Sequence, residues 1–318
     1  MYPIKLNPIF KEIVWGGERL KSDYGYESDL NNIAEAWVLT ARNDGDNTVK
    51  NGEFLGQSFS ALIEKHPEFL GEKGEKYNEF PLLIKFIDAK SDLSIQVHPD
   101  DDYARVHENS LGKTEAWYVL DCSEDAELIY GFNKEISKEE FKNSIEDNSF
   151  LNHVNKVKVK KGDIFFIEAG TLHAIGGGIL LAEVQQNCNT TYRVYDYGRL
   201  VDGKPRELHI AKALDVTNTL PPVRSAKAEG EVVKSENAEL QKLCSCEFFT
   251  MTSLKLDGKF DYDCGSDSFL SVLILDGTGS ITVENTAVSV KKGDSVFVPA
   301  NSGRVVLSGK FDALLSTL

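Results

Sequence analysis

The stretch Leu93-Ser94-Ile95-Gln96-Val97-His98-Pro99-Asp100 decides how the rest of the chain is interpreted. Side chains of an extended strand alternate between its two faces, so Gln96 and His98 point to one side and the apolar residues beside them to the other. One face therefore carries an amide oxygen and an imidazole. Another histidine, His173, ends a β-rich run that begins at Gly162. We predict that four side chains close on one cation: Gln96, His98, Glu115 and His173.

The spacing of these residues matches the two sequence motifs of cupins. The first cupin motif is a His-x-His pair on a strand followed by a Glu, and here Gln96 replaces the leading His. The second is Gly, five residues, Pro, one residue, Gly, two residues and His. It fits at Gly162, Gly170 and His173, with Glu168 in the Pro position. A motif of this kind is a hypothesis that its structural context must confirm.

A Gln in the first motif narrows the family, because the chain then resembles the type I mannose-6-phosphate isomerases, whose zinc is held by Gln, His, Glu and His. The resemblance also covers Lys113-Thr114-Glu115 and the segment from Asn189 to Arg199. It implies a mainly β fold of two cupin-type jelly-roll β-barrels, with a few short helices inserted in the N-terminal one. It also implies a single Zn²⁺ per chain.

The metal site competes with a simpler interpretation. His98 alone would be read as a core histidine, but four residues at the offsets of one motif pair favour a metal site. Two imidazoles with two oxygen ligands suit zinc. The same ligands accept manganese, iron or cobalt, so zinc rests mainly on the resemblance. The remaining histidines have no such neighbours in the sequence and are interpreted as structural: His66, His107, His153 and His209.

Arg193 stands among strand-forming residues, where a cation is unexpected unless it faces a cavity. It could instead pair with a core carboxylate such as Glu183 or Asp196, because buried cations are either paired or functional. By its match to the family's motif, Arg193 looks like the catalytic arginine.

Four further polar residues match family positions at the site. The resemblance implies that Lys113 and Arg199 hold the phosphate of the substrate, although either could be a solvated charge. Ser94 matches a substrate-binding position, and a strand serine that only satisfies its neighbours is the alternative. The base that moves the proton would be Glu183 or a metal-bound water, and the residues leave both open.

The activity implied by the resemblance is that of a metal-dependent aldose–ketose isomerase, which interconverts mannose 6-phosphate and fructose 6-phosphate through an enediol intermediate. Because a fold does not fix a function, two alternatives remain. An iron-dependent cupin oxygenase would need open metal positions for oxygen, whereas a neutral Gln ligand and nearby cations favour a redox-silent metal. A non-catalytic sugar-binding protein with two cupin domains would be expected to have lost its metal ligands.

The composition limits the partners. The chain of 318 residues has 50 acidic and 35 basic side chains and a formal charge of −15, which argues against nucleic acid or an anionic membrane surface as partner. It has no apolar run of membrane-spanning length, and residues 1–5 lack the apolar core of a signal peptide. We therefore expect a cytoplasmic protein, monomeric or weakly oligomeric, whose partner is a small phosphorylated sugar.

The length predicts two domains. A linker-like segment, 221–230, marks the boundary between them. We expect a metal-binding catalytic domain at 1–225 and a second domain at 226–318. Val159-Lys160-Lys161-Gly162-Asp163 recurs as Val290-Lys291-Lys292-Gly293-Asp294, and extending this repeat puts Arg304 where the metal histidine stands. We expect the second domain to be a degenerate cupin without metal.

Local patterns predict four short helices. Apolar residues three and four apart indicate a helix within 57–70, with Ser58 or Ser60 as its cap. An acidic start favours a helix at 100–107, and Ser137 with Glu140 forms a capping-box pattern at the start of 137–150. The fourth helix is expected at 206–214.

Overall fold

The computed structural model describes residues 1–147, 149–224 and 226–318. Its architecture is mainly β, as predicted, with three large sheets and short helices. Residue 225, at the predicted domain boundary, lies outside the described residues. The division into 1–225 and 226–318 stays a prediction, as does the closure of the sheets into two barrels. Within the described part of the chain, no helix is long and apolar enough to cross a membrane.

A six-stranded antiparallel sheet lies at the centre of the molecule. All eight residues of its strand Leu82–Ala89 are buried, because the sheet is covered on both faces, and this explains why the strand is almost continuously apolar. In spatial order the strands are Ile164–Ile167, Glu115–Cys122, Ile179–Gln186, Leu82–Ala89, Glu35–Leu39 and Ile9–Lys11.

A five-stranded antiparallel sheet faces one side of the six-stranded sheet. Its short middle strands carry the motif residues of the sequence. In spatial order the strands are Val154–Lys158, Glu127–Phe132, His173–Ala174, Ile95–Val97 and Tyr192–Tyr195.

The C-terminal half forms most of a nine-stranded sheet, and the N-terminus completes it. Ile4–Asn7 pairs with Ser295–Val298, with Ile4 opposite Phe297. Three strands of 14 or 15 residues enclose a core of their own. The strands are, in spatial order, Val233–Lys234, Ala238–Ser245, Thr250–Cys264, Gly303–Thr317, Leu270–Val283, Ser295–Val298, Ile4–Asn7 and Thr48–Val49, with Thr286–Lys291 paired to Leu270–Val283.

The two faces of the six-stranded sheet pack into different cores, since side chains alternate along a strand. One face places Phe165 in a core with Leu128 of the five-stranded sheet. The other face places Phe166 in a core with Phe249 of the C-terminal half. The strands that carry the candidate site are therefore held from behind by the C-terminal half.

The helices of the described residues all lie before residue 217, and three of the four predicted helices begin within two residues of the predicted start. Ser58, Asp100 and Ser137 each accept a hydrogen bond from the backbone N–H three residues later. The fourth helix begins at Ile210 rather than 206, because the preceding residues belong to a small hairpin and its exit. The α-helices are Arg19–Ser22, Phe59–Lys65, Asp101–His107, Lys138–Glu146 and Ile210–Val216; the 3₁₀ helices are Pro67–Leu70, Glu72–Gly74 and Phe150–Asn152; the two hairpins pair Ala41–Arg42 with Gly45–Asp46 and Leu200–Val201 with Lys204–Pro205.

Arg304, which takes the place of His173 in the sequence repeat, is a surface residue. Its side chain is 65% exposed, and its NH2 group lies 2.7 Å from Asp261 Oδ2. The position thus carries a solvated ion pair.

Candidate active site

Two facing rows of side chains form the candidate site, one from each N-terminal sheet. In the five-stranded sheet, Gln96 lies directly opposite His173 on one side and Arg193 on the other. Directly opposed residues of antiparallel strands point to the same face. An imidazole, an amide and a guanidinium from three distant parts of the sequence therefore stand side by side.

The six-stranded sheet supplies the facing row. Glu183 lies between Trp117 and Lys85, and Lys85 is next to Trp37. The indole N–H of Trp117 donates to Glu183 Oε2 at 3.0 Å, and that of Trp37 donates to Glu35 Oε2 at 2.6 Å. Each carboxylate is thus held in a fixed orientation by a tryptophan of the same face.

His98, Glu115 and His173 form a buried cluster whose potential ligand atoms all lie within 4.8 Å of one another. Glu115 Oε2 is 3.6 Å from Nε2 of His98, and Glu115 Oε1 is 3.4 Å from Nε2 of His173. Each of the three residues is at most 1% exposed. The fold brings together three of the four predicted metal ligands.

Backbone carbonyls fix the tautomer of both imidazoles. Nδ1 of His98 lies 2.9 Å from the carbonyl oxygen of Thr190, and Nδ1 of His173 lies 2.8 Å from that of Thr171. A carbonyl oxygen can only accept, so both Nδ1 atoms carry a proton and donate it. Both Nε2 atoms are then left with a lone pair that faces the carboxylate, which is the arrangement metal-binding histidines adopt.

The cluster fits a divalent metal ion. Burial, with the charge of Lys113 nearby, lowers the pKa of His98 well below its usual value and that of His173 to about 4. Both rings are therefore neutral at pH 7, the form that binds a metal. His98 Nε2 is a buried atom without a hydrogen-bond partner among the described residues, which is uncommon in a protein interior. A cation held by the two Nε2 atoms and the carboxylate would satisfy it.

Gln96, the fourth predicted ligand, lies at the edge of this cluster. Its Nε2 is 3.5 Å from Nε2 of His173, and its Oε1 accepts a hydrogen bond from Ser94 Oγ at 3.2 Å. A half-turn of the amide exchanges its two ends and turns the oxygen toward the histidines, while the Ser94 hydroxyl can then accept from the amide NH2. Ser94 is therefore in a position to orient Gln96.

A chain of alternating charges leads away from the cluster along the six-stranded sheet. Lys113 Nζ lies 2.9 Å from Glu115 Oε2 and 3.8 Å from Glu183 Oε1. Lys85 Nζ lies 3.2 Å from Glu183 Oε1 and 3.4 Å from Glu35 Oε2. All five residues are buried, and this is tolerated because each charge has an opposite partner. No sequence motif identified Lys85 or Glu35 as residues of the site.

The pKa shifts along this chain separate its carboxylates. Burial raises the pKa of Glu183, and the charge of Glu115 adds to the effect. Burial also opposes ionisation of Glu35, but Lys85 and the Trp37 indole outweigh it and lower the pKa of that carboxyl. Burial disfavours the charged form of Lys85, yet its two carboxylate neighbours outweigh this and raise its pKa. Glu183 is thus the carboxyl whose pKa moves toward neutral pH, as a proton-transfer group requires.

Both rows border a cleft of about 320 Å³. Gln96 and Glu183 line it, together with Arg193. NH1 of Arg193 donates to the carbonyl oxygen of Glu207 at 2.7 Å, and its buried Nε has no hydrogen-bond partner among the described residues. Within the described part of the chain, Arg193 forms no ion pair with Glu183 or Asp196, and its side chain lines the cleft.

Arg199 and Arg206 share one carboxylate beside the cleft. NH2 of Arg199 bonds to Asp196 Oδ1, and its NH1 donates to the carbonyl oxygen of Asp92. Nε of Arg206 lies 2.7 Å from Asp196 Oδ2, and Arg206 lines the cleft. Arg199 is not among the described residues that line it. No motif marked Arg206 in the sequence, and only the geometry identifies it.

Comparisons with known proteins cover the entire chain. A family model described as "Phosphomannose isomerase type I, catalytic domain" matches residues 4–131, and one described as "Mannose-6-phosphate isomerase, cupin domain" matches residues 239–318. Mannose-6-phosphate isomerase ManA of Bacillus subtilis (strain 168) is 39% identical over 322 residues, which is 99% of each chain. The mannose-6-phosphate isomerase of Streptococcus mutans serotype c is 37% identical over 317 residues, covering 99% of this chain and 97% of that protein.

Solved structures agree with these matches. The crystal structure of the mannose 6-phosphate isomerase from Bacillus subtilis superposes with a TM-score of 0.93 at 36% identity and covers 100% of both chains. A mutant of the phosphomannose isomerase from Salmonella typhimurium has the same fold, with a TM-score of 0.78 at 17% identity over 99% of this chain and 98% of that chain. The chain therefore belongs to the type I mannose-6-phosphate isomerase family, a family of aldose–ketose isomerases.

Proposed function

We propose that the protein interconverts mannose 6-phosphate and fructose 6-phosphate in a metal-dependent reaction that passes through an enediol intermediate. The observation that carries this proposal is the position of the His98, Glu115 and His173 cluster beside a cleft that also presents Glu183 and Arg193. Moving a carbonyl between adjacent carbons requires a metal site, a buried carboxyl and a guanidinium such as that of Arg193, which forms no ion pair among the described residues.

The metal ligands in this proposal are Gln96, His98, Glu115 and His173, and the ion is a single Zn²⁺. Two imidazole nitrogens, a carboxylate and an amide oxygen form a donor set that suits zinc. When bound, the ion would act as a Lewis acid that polarises the carbonyl of the sugar. The Nδ1 hydrogen bonds to backbone carbonyls keep both rings oriented for this ion.

Proton transfer is assigned to Glu183. The isomerisation removes a proton from one carbon of the sugar and returns one to the neighbouring carbon, so a single group can take it up and give it back. The raised pKa of Glu183 suits both steps at neutral pH. The Trp117 indole and Lys85 hold the carboxyl in place, so the base is oriented before the substrate binds.

Arg193 is assigned to the negative oxygen that develops in the enediol. Its guanidinium stands next to Gln96, and its buried Nε has no hydrogen-bond partner within the described part of the chain. A preorganised donor of this kind costs no reorganisation when the charge appears.

Three further residues are assigned to substrate binding: Ser94, Lys113 and Arg199. Ser94 and Lys113 line the cleft, and both contact predicted metal ligands. They would therefore act on sugar atoms near the ion. Arg199 would act from outside the cleft, through the carboxylate of Asp196.

A coupled assay with mannose 6-phosphate tests the proposal. The purified protein should form fructose 6-phosphate, lose this activity after chelation and recover it with added zinc. In tritiated water, the hexose phosphate should gain tritium only in the metal-loaded sample. Glucose 6-phosphate assayed in parallel tests selection at the second carbon of the sugar.

The His98→Ala variant supplies the matched control for metal binding. It should bind less zinc, measured as metal content per chain, and lose activity in proportion. Full turnover by a metal-free sample would refute the metal-dependent reaction. Oxygen uptake without isomerisation would point to an oxygenase, and sugar binding without any turnover would point to a non-catalytic protein.

A further inference from the structure

The two ends of the cleft differ in charge. At the end next to the metal cluster, Lys85 and Lys113 are surrounded by three carboxylates, those of Glu35, Glu183 and Glu115. The protein therefore supplies no excess of positive charge there. An anionic group of a substrate would meet carboxylates at this end unless the metal ion balanced them.

Beyond Gln96, at the edge strand that carries Arg193, the cleft has an excess of positive charge. Arg199 and Arg206 both bind the buried carboxylate of Asp196. Arg193 does not bind it but is close enough for the charges of Arg206, Asp196 and Arg199 to act on its guanidinium. Burial lowers the pKa of Arg193, and the charge of Arg206 is the next contribution in size. The positive charges are thus close enough to repel one another, which favours an anion between them.

Arg206 is the arginine of this group that is both fixed and open to the cleft. Its Nε and NH2 groups hold the two oxygens of Asp196 at 2.7 and 2.5 Å. Its NH1 group makes no hydrogen bond to a described residue, and the side chain lines the cleft. Arg199 uses NH1 for the Asp92 carbonyl. Asp196 therefore holds the guanidinium of Arg206 in place while its NH1 group stays available to a ligand. Because the side chain is already fixed, less entropy is lost when a ligand binds.

We propose that Arg206 binds the phosphate group of the sugar, with Asp196 as its positioning residue and Arg199 acting only through Asp196. This inference rests on the proposed function, because it assigns one end of the same substrate. A guanidinium presents planar donors that match phosphate oxygens. A phosphate held at this end anchors the sugar away from its reacting carbons and orients them toward the metal cluster and Glu183.

Kinetics and binding of Arg206 variants test the assignment. The steady-state KM and kcat for mannose 6-phosphate would be measured together with the dissociation constant of glucitol 6-phosphate, a phosphorylated hexitol without a carbonyl. For Arg206→Ala, both KM and the dissociation constant should rise by at least about tenfold, because a charge-assisted hydrogen bond is lost. The affinity for unphosphorylated glucitol should not change, and kcat should fall less than KM rises. Arg206→Lys keeps the charge without the planar donors and should lie between the wild type and Arg206→Ala.

Arg304→Ala is the matched control, since Arg304 also holds an aspartate through Nε and NH2 but lies on the surface of the C-terminal half. It should leave KM, kcat and the dissociation constant unchanged. The inference is overturned if Arg206→Ala binds glucitol 6-phosphate as tightly as the wild type does. It is also overturned if Arg199→Ala raises the dissociation constant tenfold while Arg206→Ala does not.

Failure of this inference can be told apart from failure of the proposed function. The dissociation constants need no turnover, so they test Arg206 even if the wild type does not isomerise mannose 6-phosphate. An active wild type with an unaffected Arg206→Ala variant refutes the phosphate assignment alone. Thermal unfolding of each variant shows whether a change in affinity comes from a folded protein.

Discussion

The surroundings of Arg193 fit a catalytic role better than a purely structural one. It faces the cleft, donates to one carbonyl and leaves a buried Nε without a described partner. We expect Arg193→Lys to lower kcat for mannose 6-phosphate by about a hundredfold, as loss of a single oxyanion donor does. Steady-state kinetics at saturating zinc would measure this effect.

The zinc content of Arg193→Lys should equal that of the wild type, because Arg193 is not one of the proposed ligands. A kcat within threefold of the wild-type value would contradict the role assigned to this arginine. A loss of zinc would instead show that Arg193 supports the metal site.

Lys85 is a residue that we expect to stabilise the fold. It lies between two buried carboxylates, those of Glu35 and Glu183. Removing one partner of a buried ion pair leaves an uncompensated charge, so Lys85→Met should lower the free energy of unfolding by about 3 kcal/mol. Urea denaturation at pH 7 would measure the loss.

The double variant Glu35→Gln/Lys85→Met is the control for this prediction. It removes one of the two stranded carboxylates and should be more stable than Lys85→Met alone. If Lys85→Met lost less than about 1 kcal/mol, the magnitude of an exposed pair, the lysine would not be acting as the shared partner of both carboxylates.

The predictability of the site differs from residue to residue. The clustering of His98, Glu115 and His173 could be predicted because the cupin motifs fix the spacing of these residues on strands and turns. No motif identifies Lys85, but its place within an otherwise apolar strand indicates a buried lysine, and a buried lysine requires a partner of opposite charge. Arg206 carries no such signal. Its position depends on the path of the chain after the Leu200–Val201 hairpin, which local sequence does not determine.

At the scale of elements, Glu108 joins three parts of the N-terminal half. It follows the helix Asp101–His107, and its Oε1 accepts hydrogen bonds from the Tyr192 hydroxyl and from Lys212 Nζ, both at 2.6 Å. These bonds tie the helix Ile210–Val216 and the strand that carries Arg193 to the same point. Glu108 thus supports the strand that carries Arg193 from the side.

This arrangement predicts a pH-dependent stability. The Lys212 and Tyr192 hydrogen bonds lower the pKa of Glu108 from its ordinary value of 4.5. A depressed carboxyl pKa contributes stability above the unfolded-state value, and that contribution is lost as the pH falls through the folded-state value. Glu108→Gln should therefore lower the unfolding free energy by about 1 kcal/mol at pH 7.

The difference between the wild type and Glu108→Gln should stay constant from pH 6 to 8 and shrink below about pH 4.5, in line with the linkage between protonation and folding. Urea unfolding across this pH range would measure it. A difference that grew on acidification would contradict the assigned direction of the shift.

Elements with strong local signals were predicted well. Ser58 and Ser137 cap helices where the sequence indicated, because a cap is a local contact between a side chain and nearby backbone. The helix Ile210–Val216 begins four residues after the start that the sequence pattern predicts, because the hairpin at Leu200–Val201 and Lys204–Pro205 forms from weak local preferences. The order of strands in the sheets depends on distant contacts and could be predicted only through the family resemblance.

At the scale of the whole molecule, the two halves share both a sheet and a core. Ile4–Asn7 is hydrogen-bonded to Ser295–Val298, and Phe166 packs in one core with Phe249. We expect a single cooperative thermal transition, because neither half can lose its structure without exposing surface of the other. Differential scanning calorimetry, with the van't Hoff enthalpy compared with the calorimetric enthalpy, would measure this.

Added zinc provides the control for this prediction. An ion that binds only the folded state raises the unfolding temperature of every part that unfolds with its site. The complete transition should therefore move to higher temperature. Two resolved transitions, of which zinc moves only one, would show that the halves unfold independently and would favour the predicted division at residue 225.

The six-stranded sheet is buried on both faces, and this places an unusual constraint on how the sequence can diverge. The strands that position Glu115 and Glu183 carry, on their reverse side, residues such as Ala116 and Val184, which pack in one core with Phe249 of the C-terminal half. Because protein cores are close-packed, a change of side-chain volume behind the sheet would shift these strands and the carboxylates that they carry in front. A chimera that exchanged residues 239–318 with those of a relative would keep every proposed ligand and still lose rate unless the reverse face were exchanged as well.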